Sequence, residues 1–181
     1  MGSILTPRLR LVPATAELIR LEIDNTEQFF RHLGASPVTD WPPDELKDVM
    51  ALFARQLEKA PELVGWLSWY WVLRSPVREA LVGGGGFKGA PVDGMVEVGY
   101  NTRMPFRRRG YATEAVGALT KWALGQPMVR CVRAETSRDN DGSIGVLSKL
   151  GYSEAGSGSP PIRASCSVGE SRTRLCAVSL G

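Results

Sequence analysis

Residues 96–119, VEVGYNTRMPFRRRGYATEAVGAL, change their hydrophobic period halfway along. Val96, Val98 and Tyr100 alternate with Glu97, Gly99 and Asn101, so Val96–Thr102 is predicted to be a half-buried strand with Glu97 facing away from the core. From Tyr111 onward, Ala112, Val116, Leu119 and Ala123 recur at helical spacing, with Ala115 and Trp122 widening the apolar stripe. Between strand and helix lies Arg107-Arg108-Arg109-Gly110-Tyr111-Ala112. The first turn of a helix has N–H groups without intrahelical partners and carries partial positive charge, and three arginines add to that field. Gly110 and Ala112 are small enough for a ligand to approach the backbone. An isolated basic triplet would read as a solvated turn. The strand before it and the helix after it favour an anion site, and the absence of Lys-Ser/Thr after the last glycine argues against a P-loop.

The remaining chain supplies the support for this unit. The 181 residues, 43% hydrophobic and 23% charged, suit one globular domain spanning 1–181, with 153–181 carrying the weakest pattern. The net charge of +3 sits largely in Arg103 and Arg107 to Arg109, which points to a local anion site more than to a nucleic-acid surface. Cys131, Cys166 and Cys176 are odd in number and lack metal-ligand spacing, so neither a disulfide framework nor a metal site is expected. Pro7, Arg8 and Arg10 stand where a secretory segment needs an apolar run, and no stretch approaches the roughly 18 apolar residues of a membrane span. A soluble cytoplasmic protein with no membrane or nucleic-acid partner is the expectation.

In chain order, Arg8–Val12 alternates up to Pro13 as a first strand. Thr15 caps a helix through Leu18, Ile19 and Glu22, and Asn25 or Thr26 restarts it toward Phe29, Phe30 and Leu33 before Gly34. A loop carrying Trp41 follows, and Asp44 is placed to cap a helix through Leu57. His32, the only histidine, invites a proton-transfer role, but no nucleophile or carboxylate accompanies it and a helix-end residue is the better account. Gly65–Arg74 is an aromatic-rich strand. Its side chains are expected mostly in the core, with Trp66 or Tyr70 the alternative lining of a substrate pocket beside Phe53. Residues 75–78 should turn into a third strand, Ala80–Lys88.

That strand contains Gly84-x-Gly86-x-x-Gly89, which matches the dinucleotide fingerprint in letters only. No helix can start in the Ala90–Gly94 segment that follows, so the glycines are read as letting the strand bend or bulge. Val129–Thr136 is predicted as a fifth strand. A helix capped by Asp139 or Asn140 then runs to Leu150 and ends in a Schellman stop at Gly151-Tyr152. In the tail, 162–168 alternates and Arg172–Val178 could return as a hairpin strand.

Arg107-x-x-Gly110-x-Ala112 resembles the acyl-CoA-binding motif of the GNAT superfamily of N-acetyltransferases. GYATEAV, followed by AETSRDNDGSIGVLSKLGY over 134–152, is similar to the branch containing the ribosomal-protein alanine and serine N-acetyltransferases. The resemblance implies an α+β, three-layer α/β/α fold: a mixed, mostly antiparallel sheet of about six to seven strands, splayed between the fourth and fifth, with helices on both faces. It also implies acetyl-CoA as co-substrate, no metal, and an amine acceptor that is a small molecule or a peptide N-terminus. Oligomeric state is left open, a homodimer included.

Carried onto this sequence, the resemblance gives Tyr100, Asn101 and Thr102 to the pantetheine arm, a backbone N–H there polarising the thioester. Arg107, Arg108, Arg109, Gly110, Tyr111 and Ala112 hold the pyrophosphate, and Asn140 and Ser143 face the pantetheine or adenosine side. Glu97, near the presumed thioester, is the expected base, with Glu135 its rival; either carboxylate could instead be structural. Where many members carry an acidic tyrosine, this chain has Leu147, so Ser143 or a water it holds is left to protonate the thiolate. The missing tyrosine also leaves a CoA-binding or regulatory module without turnover as the alternative.

Overall fold

The computed structural model describes residues 1–43, 46–75, 79–154 and 172–178. Its elements in chain order are β1 (Ile4–Leu5), β2 (Leu9–Pro13), α1 (Ala16–Asp24), α2 (Thr26–Leu33), α3 (Lys47–Lys59), β3 (Ser68–Leu73), β4 (Ala80–Phe87) and β5 (Met95–Thr102). There follow α4 (Tyr111–Leu124), β6 (Cys131–Ser137), α5 (Asp141–Lys149), β7 (Ser153–Glu154) and β8 (Arg172–Val178). The sheet order is β1-β2-β3-β4-β5-β6-β8-β7, and every pairing is antiparallel except β5 with β6. Two of the eight strands are two-residue edge pieces; the other six are those anticipated from the sequence.

Alternation on β3 explains the three layers. Trp69 and Trp71 point into the core beneath α4 and α5, whereas Tyr70 and Val72 point into the second core formed with α1, α2 and α3. All four are fully buried, as expected of a strand covered on both faces. Tyr70 is therefore core and lines no pocket, and Trp66 is half-buried, packing on Trp122 at 4.7 Å and on Phe87 at 5.7 Å. Glu22 of α1 closes the second core, accepting hydrogen bonds from Trp41 Nε1 at 2.6 Å and Tyr70 Oη at 2.5 Å.

The glycines of β4 are explained by these indoles. A Cβ on Gly84 would lie 3.0 Å from Trp41 and 3.1 Å from the Trp69 carbonyl, and one on Gly86 would lie 1.7 Å from the Leu67 carbonyl. A register shift at Trp71/Val72 leaves Val82 unpaired as a bulge, as the glycine-rich pattern suggested. No helix follows β4, so the letter match to a dinucleotide fingerprint has no structural counterpart. Gly84→Ala is expected to cost about 1–2 kcal/mol by overpacking against Trp41, measurable by urea denaturation.

Local capping follows the sequence closely. Thr15 caps α1 and Asn25 caps α2, and Gly34 ends α2 in the left-handed conformation. Asp44 lies outside the described residues; α3 is entered from Leu46 without a side-chain cap. The turn at 76–78 and the alternating stretch at 162–168 also lie outside them. Arg172–Val178 is the strand β8, as anticipated, and it pairs with β6 over its whole length. That register sets Arg133 opposite Cys176, so Cys131 and Cys176 become diagonal neighbours and are bridged, with Cα atoms 6.5 Å apart. The expectation that the cysteines form no disulfide is corrected for this pair, because it depends on a strand pairing across 45 residues. Among the described residues no helix is long and apolar enough to cross a membrane, and no cluster of metal-ligating side chains is present.

Candidate functional site

β5 and β6 run side by side from Met95↔Cys131 to Val98↔Ala134 and then part. Beyond that point Glu135–Ser137 pair with β8, while Gly99–Thr102 stay on β4, leaving one edge of β5 open. The splay expected between the fourth and fifth predicted strands is this fork. A cavity of about 740 Å³ lies along the open edge. Its walls are Tyr100, Asn101 and Thr102 of β5, the turn and first residues of α4, and the face of α5 from Asn140 to Lys149.

The arginine turn is shaped by left-handed backbone. Arg108 has φ 58° and Gly110 φ 79°. The arginine occupies a conformation that side chains resist, at a cost of about 1 kcal/mol, and such positions concentrate at ligand sites. No side chain caps α4, so its first-turn N–H groups remain available to a ligand. Arg107 Nε donates to the Thr102 carbonyl at 2.9 Å, tying the turn to the end of β5. Arg107, Arg108, Gly110, Tyr111 and Ala112 all line the cavity.

Arg109 is exposed and does not line it. Arg103 is also diverted: its Nε donates to Asp40 at 3.0 Å, and its guanidinium lies 5.3 Å above the Phe106 ring. The usable positive charge is thus narrower than the sequence suggested.

α5 closes the opposite side. Asn140 Oδ1 accepts from the Ser143 N–H at 3.0 Å, so this side chain is the helix cap as well as a wall residue. Tyr100 Oη donates to the Ser143 carbonyl at 3.3 Å across the cavity. Burial raises the Tyr100 phenol above its ordinary value, partly offset by that hydrogen bond, so it is protonated at neutral pH. The Schellman stop is present, with Tyr152 N–H donating to the Leu147 carbonyl and Gly151 N–H to that of Ser148, both at 3.0 Å. Leu147 is buried in the core behind the cavity.

Glu97 and Glu135 do not line the cavity. Glu97 lies three residues before Tyr100, within the paired part of β5, with its side chain 17% exposed and ion-paired to Lys88. Glu135 sits on β6 opposite Arg174. His32 is exposed on α2, its Nδ1 2.9 Å from the Gln28 carbonyl, and takes no part in the cavity. Gly142, Gly145 and Lys149 do line it and were not singled out from the sequence. Their spacing of three and four residues puts them on one helical face, but small residues on a short helix carry no distinguishing signal.

The profile of the acetyltransferase (GNAT) domain family matches residues 8–153. YjdG of Bacillus subtilis strain 168, described as an uncharacterized N-acetyltransferase, is 34% identical over 148 residues, covering 81% of this chain and 87% of YjdG. Among solved structures, the ribosomal-protein-S5-alanine acetyltransferase from Vibrio fischeri superposes with a TM-score of 0.62 at 16% identity, covering 98% of this chain and 97% of that one. The microcin C7 self-immunity acetyltransferase MccE, solved in complex with acetyl-CoA and AMP, superposes with a TM-score of 0.60 at 16% identity, covering 96% and 94%. These superpositions show a common fold. With a family match over most of its length and a relative above 30% identity, the chain belongs to the GNAT acetyltransferase family.

Proposed function

We propose that this protein transfers the acetyl group of acetyl-CoA to a primary amine, on a peptide N-terminus or a small molecule, by direct attack in a ternary complex. The observation that carries the reading is the open edge of β5 beside a cavity whose far end is the arginine turn and uncapped start of α4. A pyrophosphate would sit on Arg107, Arg108 and the α4 N–H groups, with the pantetheine arm running along Tyr100–Thr102. Family membership and the acetyl-CoA bound to MccE support the choice of donor.

In the reaction, the neutral amine nitrogen forms a C–N bond to the thioester carbonyl, and the tetrahedral oxyanion collapses by breaking C–S. The nitrogen's proton passes to a carboxylate, for which Glu97 is proposed. Alternation along β5 turns Glu97 away from Val96, Val98 and Tyr100, which pack toward α4 and α5, and an acceptor approaching the fork from the other face of the sheet would meet it. The CoA thiolate takes a proton from the Ser143 hydroxyl, a water it holds, or the neighbouring Tyr100 phenol.

Millimolar acetyl-CoA is expected to raise Tm, and a panel of amines and N-terminal peptides is expected to contain an acceptor that releases CoA thiol. No Tm shift would overturn the donor assignment, whereas binding without turnover over the whole panel would leave a CoA-binding module. Glu97→Gln is expected to lower kcat by about 100-fold and remove the acidic limb of the kcat/KM profile, with CoA affinity retained. An unchanged pH profile assigns the base elsewhere.

A further inference from the structure

The turn before α4 is held from outside the cavity by the connection between β1 and β2, residues 6–8. Arg8 Nη1 donates to the Arg109 carbonyl at 2.9 Å, and its guanidinium lies 4.6 Å from the centre of the Tyr111 ring. Arg8 Nη2 would stand 3.3 Å from a Cβ on Gly110. Glu114, one turn into α4, fixes this guanidinium by accepting from Arg8 Nε at 2.6 Å and from the Arg8 backbone N–H at 2.8 Å. Thr6 Oγ1 donates to the same carboxylate at 2.6 Å and accepts from the Leu9 N–H at 2.9 Å. Desolvation works to raise the Glu114 carboxyl, but the hydrogen bonds from Thr6 and Arg8 outweigh it and hold the group below its ordinary value.

From this clamp we infer that Arg8 is a positioning residue that sets the orientation of the Arg109–Gly110 peptide. In a trans peptide the C=O and N–H point in opposite directions. Holding the Arg109 carbonyl against Arg8 therefore turns the Gly110 N–H away from Arg8, and Gly110 lines the cavity. Glycine makes the alternative rotation inexpensive at this position. With the peptide flipped, a carbonyl oxygen would replace an N–H donor at the anion site and repel a phosphate. Thr6, Arg8 and Glu114 thus keep the turn in its anion-accepting state, although none of the three lies within the 107–112 motif. The consequence for CoA rests on the donor assignment above; the peptide orientation does not.

The experiment compares the full chain with its Arg8→Ala and Arg8→Lys variants by two readouts. The first is the Gly110 amide resonance in the ligand-free protein, in a sample with labelled glycine. The second is steady-state kinetics against acetyl-CoA with an acceptor found in the panel, together with CoA binding by calorimetry. Arg8→Ala is expected to shift or broaden the Gly110 resonance and to raise KM for acetyl-CoA by about 10-fold, with kcat and acceptor KM within about twofold. Arg8→Lys, which retains one donor for the Arg109 carbonyl, is expected to recover part of both effects. An unchanged Gly110 resonance in a folded Arg8→Ala protein overturns the inference, as does a loss confined to kcat. If Arg8→Ala does not fold, Arg8→Lys carries the same two criteria. If the wild-type protein binds no CoA, the donor assignment fails by itself and the ligand-free resonance still decides the role of Arg8.

Discussion

Arg108→Glu is expected to raise KM for acetyl-CoA by about 100-fold, equivalent to about 2.7 kcal/mol, while kcat at saturation and the Tm of the ligand-free protein change little. The substitution separates charge from backbone. Position 108 already holds a side-chain-bearing residue at φ 58°, so glutamate inherits the same strain and changes only the sign of the group at the cavity wall. Its first-turn neighbours keep their geometry. Arg109→Glu is the matched control: the same charge reversal one residue on, at an exposed side chain off the cavity, is expected to move KM by no more than about threefold through screened long-range interaction. Equal effects at both positions would mean that net charge, rather than a built anion site, attracts the donor. Initial rates over a range of acetyl-CoA, with calorimetric Kd for CoA, decide the matter.

Glu22 gives the second large expected effect, on stability. Desolvation raises its carboxyl from the ordinary 4.5 to about 7, against the opposing hydrogen bonds from Tyr70 and Trp41. Tyr70 is pushed well above its usual value, chiefly by its own burial and then by the neighbouring carboxylate, and remains a donor. Between the two carboxyl values the native state holds a proton that the unfolded chain has released, so stability falls as pH rises through this window and levels off above it. Relative to Glu22→Gln, the wild-type protein is expected to lose about 3 kcal/mol between about pH 4.5 and about pH 8. Urea denaturation of both proteins at several pH values measures the difference, in which the other titrating groups largely cancel. A parallel pH dependence in the two proteins would show that Glu22 is charged in the native state throughout.

These two sites differ in how far the sequence exposed them. The candidate anion site was legible because nearly all of its parts are local: the alternation of Val96–Tyr100, the arginine turn, the glycine at the helix start and the apolar stripe of α4 lie within one continuous segment. Which arginines face the cavity was not legible, since a triplet in a tight turn distributes its side chains according to φ and ψ, and Arg108 takes a left-handed value that no residue pattern announces. Glu22 reads as an ordinary position in an amphipathic helix. Its partners stand 19 and 48 residues away on a loop and a strand, and a carboxylate is costly to bury unless such partners meet it.

The sequence by itself determined the period of each principal strand and helix, the cap at Thr15, the caps at Asn25 and Asn140 to within one residue, the Schellman stop at Gly151 and the motif of the candidate anion turn. All of these depend on hydrogen bonds and side-chain spacing within a few residues. Tertiary structure alone decided that Glu97 pairs with Lys88 outside the cavity, that Cys131 meets Cys176, that the β4 glycines make room for backbone and indoles, and that Arg8 reaches the Arg109 carbonyl from 101 residues away. Each depends on which strand lies beside which and in what register, and a one-residue change of register would turn every side chain on a strand to the other face. Local pattern constrains that choice to a face, and the packed sheet selects the neighbour.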